Sequence, residues 1–140
     1  MDSLNGCGGT RPKIRVYCGT DMIDVSRIEK SVGSNPRFVE KLFTDVEIKY
    51  CEAKNAGRYQ SYAARFAAKE AFLKALGAGM FAGAKLTEIE VVNDAESGAP
   101  TLKLHGGAAE MYRLKGGRDL SVSLTHTSAI AFAAVVILGE

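Results

Sequence analysis

The sequence predicts an α+β fold in which antiparallel strands pack on one long helix. Three observations carry that expectation. Residues 58–76 form an alanine-rich run without glycine or proline that stops at Gly77-Ala78-Gly79, the pattern of a long helix with a clear C-terminal signal. Strand-like runs do not alternate regularly with helices, as a doubly wound parallel sheet requires. The last two such runs, 120–125 and 130–138, are separated by only 126–129, which favours an antiparallel hairpin.

The elements follow in order. Residues 1–13 are polar, with three glycines and a proline, and read as a flexible leader ahead of a single domain over 14–140. Alternation over 14–19 predicts a strand, with the chain turning over 19–24 into a helical pattern at 25–32. Ser34-Asn35-Pro36 starts a second helix, with Pro36 near its first position. Thr44 can cap a third, short helix over 45–51, and Glu47 stands three residues on, in capping-box position. After the long helix and a glycine-containing connection over 80–85, residues 86–92 alternate as a strand. A turn over 93–100 leads to a short strand at 101–104 and a helix at 106–114. In the closing hairpin, 130–138 is apolar at nearly every position, which predicts burial on both faces or against another subunit.

Composition excludes several classes. Apolar residues at 46% and charged residues at 24% are ordinary globular values and exclude wholesale disorder. A formal charge of +2, from 18 basic and 16 acidic residues, gives no support to nucleic-acid binding. Three widely spaced cysteines make neither a disulfide framework nor a zinc site. There is no secretory signal pattern, and the longest apolar run is about half a membrane span, so a cytoplasmic protein without membrane attachment is expected. Neither a GxGxxG fingerprint nor a GKS/GKT loop is present.

The chemistry concentrates in the long helix. Phe66, Glu70 and Lys74 are four residues apart and share one side of it, with Ala63, Ala67 and Ala71 flanking Glu70. Glu70 and Lys74 alone would make an ordinary surface ion pair. Asp21, at the end of the first strand, adds a second carboxylate from a separate element. Two carboxylates with few soft ligands suit Mg²⁺, which fills its octahedron with water and phosphate oxygens. Asp24 and Glu29 are competing acids, and Asp24 can instead cap the following helix. His126, at the mouth of the hairpin, reads either as a histidine held by neighbouring hydroxyls or as a phosphate-binding or acid–base group. His105 reads as structural, and Cys18 as a small buried hydrophobe. Arg27, Lys30, Arg37 and Lys41, set against Glu29 and Glu40, form a basic patch able to attract an acidic partner.

Four blocks then resemble holo-acyl-carrier-protein synthases, the small bacterial type of 4′-phosphopantetheinyl transferase. They are Gly19-Thr-Asp-Met-Ile-Asp-Val-Ser-Arg-Ile28, Phe38 through Phe43-Thr-Asp-Val-Glu47, Ala64-Arg-Phe-Ala-Ala-Lys-Glu-Ala-Phe-Leu-Lys-Ala-Leu-Gly77 and Ser121-Val-Ser-Leu-Thr-His-Thr127, with Gly98-Ala-Pro100 resembling the family's Gly-x-Pro turn. The resemblance implies transfer of the phosphopantetheine arm of coenzyme A to a serine of apo-acyl carrier protein, with release of adenosine 3′,5′-bisphosphate, in fatty-acid biosynthesis. It implies Asp21 and Glu70 as Mg²⁺ ligands, with Lys74 joining them in catalysis as a pyrophosphate contact and proton donor. Arg65, Lys69, Lys74, His126 and Thr127 are implied at coenzyme A, His126 reaching it from the adjacent subunit of a homotrimer. Arg27, Arg37, Phe38 and Lys41 are implied in docking the acidic carrier protein. The alternatives are a non-catalytic carrier-binding scaffold and another Mg²⁺-dependent nucleotide transferase; clustered carboxylates that repel without a cation argue against the scaffold.

Overall fold

The structure is a computed structural model that describes residues 11, 13–78 and 83–140. The expected leader falls almost wholly outside the described residues, as does part of the expected connection after the long helix.

The α+β expectation holds. Strand β1 (Arg15–Asp24) leads directly into α1 (Val25–Ser34), followed by α2 (Pro36–Leu42), α3 (Asp45–Glu52) and the long α4 (Arg58–Ala75). Strands β2 (Ile89–Asn93) and β3 (Pro100–Leu104) form an antiparallel pair; α5 (Gly106–Leu114) leads to β4 (Gly117–His126) and β5 (Ile130–Gly139). The main sheet has the order β1-β5-β4, antiparallel throughout.

Local signals set the helix boundaries. The Asn35 side chain accepts a bond from the Arg37 amide, with Pro36 opening α2. At α3, Thr44 Oγ1 accepts from the Glu47 amide while Glu47 Oε1 accepts from the Thr44 amide, the reciprocal capping box. Helix α4 stops where Gly77 takes φ 71°, a left-handed conformation that costs glycine nothing.

The expectations for the end of β1, for residues 86–88 and for Cys18 need correction. β1 does not turn at Gly19 but continues to Asp24, because ten residues of β5 pair with it from Arg15↔Gly139 to Asp24↔Ile130. Residues 86–88 form a 3-10 turn, with the strand starting only at Ile89. Within the protomer β5 is buried on one face. Ala131, Ala133, Val135 and Ile137 are fully covered by the core, whereas Val136 and Leu138 on the other face are about 40% exposed, at 41% and 42%. Cys18 lies on that outer face and is exposed, not buried.

Helix α4 crosses the inner face of the sheet. Its Ala63, Ala67, Ala68 and Ala71 are fully buried, and such small side chains let it sit close to the strands. Around this seam Phe43 packs on Tyr62 with ring centroids 4.9 Å apart.

Candidate active site

The close seating of α4 on β1 brings two carboxylates together. A Cβ added at Gly19 would collide with the Ala71 carbonyl and the Ala75 amide of α4, so only glycine permits this spacing. Two residues on, Asp21 points to the same side of β1 as Gly19 and the buried Ile23. Glu70, on the flank of α4, faces it. Both line a groove of about 920 Å³ whose walls include Phe66, Arg27, Phe38 and Lys41. Three residues expected to dock a carrier therefore share a cavity with the two acids. Arg37 is exposed on α2 outside that lining.

Charge in the groove is unbalanced. Glu70 Oε1 is buried without a hydrogen-bond partner. Burial, and then the neighbouring Asp21 charge, push the Glu70 carboxyl above its ordinary range, with Lys74 opposing. Lys74 Nζ donates to Asp21 Oδ1 at 3.0 Å. The expected Glu70–Lys74 ion pair is thus replaced by a pair with Asp21. Among the described residues no three His, Cys, Asp or Glu side chains converge, so a cation here would draw two ligands from the chain and the rest from water and substrate.

Lys69 departs from its expected role at coenzyme A. Its ammonium is fully enclosed and donates to Glu47 Oε1, the Leu86 carbonyl and the Ile89 carbonyl at 2.7, 2.8 and 2.9 Å. All three protons are used, leaving none for a ligand. Burial pulls the Lys69 ammonium below its ordinary range, against the opposing pull of Glu47. This lysine braces the fold.

Arg65 and His126 meet in a second, smaller pocket of about 200 Å³, with Tyr50, Ser61 and Asn93. The Arg65 guanidinium lies 4.0 Å from the centroid of the Tyr50 ring and donates to Asn93 Oδ1 at 2.6 Å, while its buried Nε has no partner. His126 ends β4 and is exposed. The Thr127 hydroxyl accepts from the Ala129 and Ile130 amides and so shapes the β4–β5 turn. Five residues separate Arg65 from Glu70, which sets them about 140° apart around the helix. Within one protomer the two pockets lie on different flanks of α4. His105, as expected, is structural, its Nε2 3.2 Å from Glu90 Oε1.

Residues 17–131 match the model of the 4′-phosphopantetheinyl transferase superfamily. The chain belongs to this family. A curated relative, the holo-[acyl-carrier-protein] synthase of Ruminiclostridium cellulolyticum, is 50% identical over 129 residues, covering 91% of this chain and 96% of the relative. The holo-(acyl-carrier-protein) synthase of Bacillus anthracis, solved in complex with CoA (3′,5′-ADP), superposes with a TM-score of 0.74 at 30% identity, covering 91% of this chain and all of that one (100%). The Helicobacter pylori enzyme, solved with coenzyme A, gives 0.74 and 30% over 86% of this chain and 98% of its own. The resemblance read from the four sequence blocks is borne out.

For a phosphopantetheinyl transferase of this size, the sequence reading missed Tyr50, Ser61 and Asn93. Ser61 lies one turn before Arg65 on α4, a spacing that helical periodicity exposes. Asn93 is 28 residues from Arg65, and no local pattern links them.

Proposed function

We propose that this chain acts as a holo-[acyl-carrier-protein] synthase. It transfers the 4′-phosphopantetheine arm of coenzyme A to a serine hydroxyl of apo-acyl carrier protein, releases adenosine 3′,5′-bisphosphate and serves fatty-acid biosynthesis in the cytoplasm. The observation that carries the reading is the facing pair Asp21 and Glu70, in a chain 50% identical to such a synthase.

The pair fits Mg²⁺. Glu70 has a buried oxygen without a partner beside a second carboxylate, and a cation between them would relieve both the lost hydrogen bond and the repulsion. Asp21 and Glu70 would hold the ion. When bound, Mg²⁺ supplies positive charge that neutralises the diphosphate and stabilises the transition state of phosphoryl transfer. Lys74, one turn along α4 and half exposed, is able to reach the same diphosphate and to donate a proton from Nζ to the departing phosphate. Arg65 and His126 grip the coenzyme A phosphates from the second pocket, and the turn shaped by Thr127 orients His126. Arg27, Phe38 and Lys41 line the groove on the carrier's side; Arg37 extends their positive field and steers an acidic partner.

Because Glu70 and His126 stand on different flanks of α4, a site using both is assembled between protomers. We assign the outer face of the β1-β5-β4 sheet, with Val16, Met22, Val136 and Leu138 exposed, to the contact that builds a homotrimer.

Incubation with coenzyme A, Mg²⁺ and apo-carrier protein, followed by intact-mass measurement, tests the function. The carrier is expected to gain one phosphopantetheine, and none in EDTA. An unmodified carrier with coenzyme A intact would leave a binding scaffold, and coenzyme A cleaved without carrier labelling would leave a different transferase or hydrolase.

A further inference from the structure

Apart from Arg27, Lys41 and Lys85 in the groove wall, one cation of the chain is already bonded to the carboxylate pair. Lys74 Nζ lies 3.0 Å from Asp21 Oδ1; the Asp21 side chain is 16% exposed and that of Lys74 is 55% exposed. Glu70, beside them, keeps its buried Oε1 without a partner. Of the two carboxylates, Asp21 holds the ion pair, while Glu70 feels the Lys74 charge only at a distance and makes no ion pair among the described residues. Lys74 can leave Asp21 without disturbing α4, because its flexible stem stands in solvent. Lys69 has no such freedom, being sealed on three acceptors. Lys85 lines the same groove but makes no ion pair with either acid among the described residues.

We propose that Lys74 is a displaceable internal counter-ion: it holds Asp21 until a diphosphate arrives to accept its charge, and so makes the divalent cation and the diphosphate-bearing donor bind cooperatively. This rests on the reading of Asp21 and Glu70 as the metal carboxylates. A bare divalent cation entering while Lys74 stays would gather three positive charges around two negative ones. If Lys74 leaves instead, the cation takes over Asp21 but the Lys74 ammonium gains no new partner. A diphosphate entering with the cation supplies the missing negative charge and gives Lys74 a new partner. Linkage then requires that the donor tighten the metal by the factor by which the metal tightens the donor. A groove built this way holds free cations weakly until the substrate is present.

Titration of the substrate-free protein with Mg²⁺ by calorimetry, and with Mn²⁺ by electron paramagnetic resonance, reads the effect without turnover. Lys74→Met and Lys74→Gln should each bind the bare cation at least about fivefold more tightly than the unmodified chain. Lys74→Arg and Lys85→Met should stay within about twofold of it. Coenzyme A, added without carrier, should tighten the metal in the unmodified chain and much less in Lys74→Met. Equal bare-metal affinity in both neutral variants and the unmodified chain would overturn the proposal. So would an equal gain in Lys85→Met, since the effect would then be general field and not exchange at Asp21. Glu70→Gln separates the two levels. If it binds metal as the unmodified chain does, the carboxylate assignment itself falls; if it loses the metal while the Lys74 variants change nothing, only the counter-ion exchange falls.

Discussion

At Glu70 the fold holds a negative charge under partial cover beside a second one. Its carboxyl titrates above the ordinary value of 4.5 because burial and Asp21 disfavour ionisation. In that window the folded chain binds more protons than the unfolded chain, so stability falls as pH rises from 4.5 through the higher folded value, then levels off. Glu70→Gln removes the charge at nearly constant shape. Without metal, its melting temperature should match the unmodified chain's below the window and exceed it at neutral pH. Thermal scans across pH check this. A metal-free variant less stable than the parent at neutral pH contradicts the strain assigned to this carboxylate. The same substitution should abolish most Mg²⁺-dependent transfer, so the change that relieves the fold disables the site.

At the scale of elements, the distance between β1 and α4 decides whether Asp21 and Glu70 cooperate. Gly19→Ala would drive a methyl into the backbone of α4 at Ala71 and Ala75. The helix must move, at a cost of about 1–3 kcal/mol or more, and Glu70 moves with it. Denaturant unfolding should register the lost stability, and metal titration a weakened site in the fraction that still folds. A variant with unchanged stability and metal affinity would show that the seam tolerates a side chain. The elements were legible where their cause is local. Thr44 and Glu47 announce the α3 cap three residues apart, and Gly77 announces the end of α4. They were illegible where a distant partner decides. β1 runs to Asp24 because β5 offers ten pairing residues. The resemblance implies Lys69 at coenzyme A, yet it sits within the buried alanine stripe and its acceptors come from 17 to 22 residues away. Asp21 and Glu70 were found because a paired-carboxylate requirement can be recognised before any geometry is known.

Over the whole molecule, the proposed site residues fall on two flanks of α4. Asp21, Glu70 and Lys74 belong to one, Arg65 and His126 to the other, and the apolar outer face of the sheet has no cover within the protomer. Sedimentation is expected near three times 14.9 kDa. Mixing Glu70→Gln with His126→Ala protomers under subunit exchange should restore transfer, because some sites then pair an intact glutamate with an intact neighbouring histidine. A fully active monomer, or no recovery after demonstrated exchange, refutes the shared site. The continuous apolar pattern of 130–138 pointed to this surface, though the sequence did not separate its two faces. Alternation of burial along β5 does.

Glu47 joins three stretches of chain that lie far apart in sequence: its carboxylate accepts from the Thr44 amide, the Val91 amide and the Lys69 ammonium. The Val91 amide therefore meets solvent only when the turn before α3, the long helix and strand β2 part together. In hydrogen-exchange terms that amide is expected in the slowest class, and exchange rates across β2 check it. Hydrogen exchange should then show the start of α3, the middle of α4 and strand β2 opening as one unit.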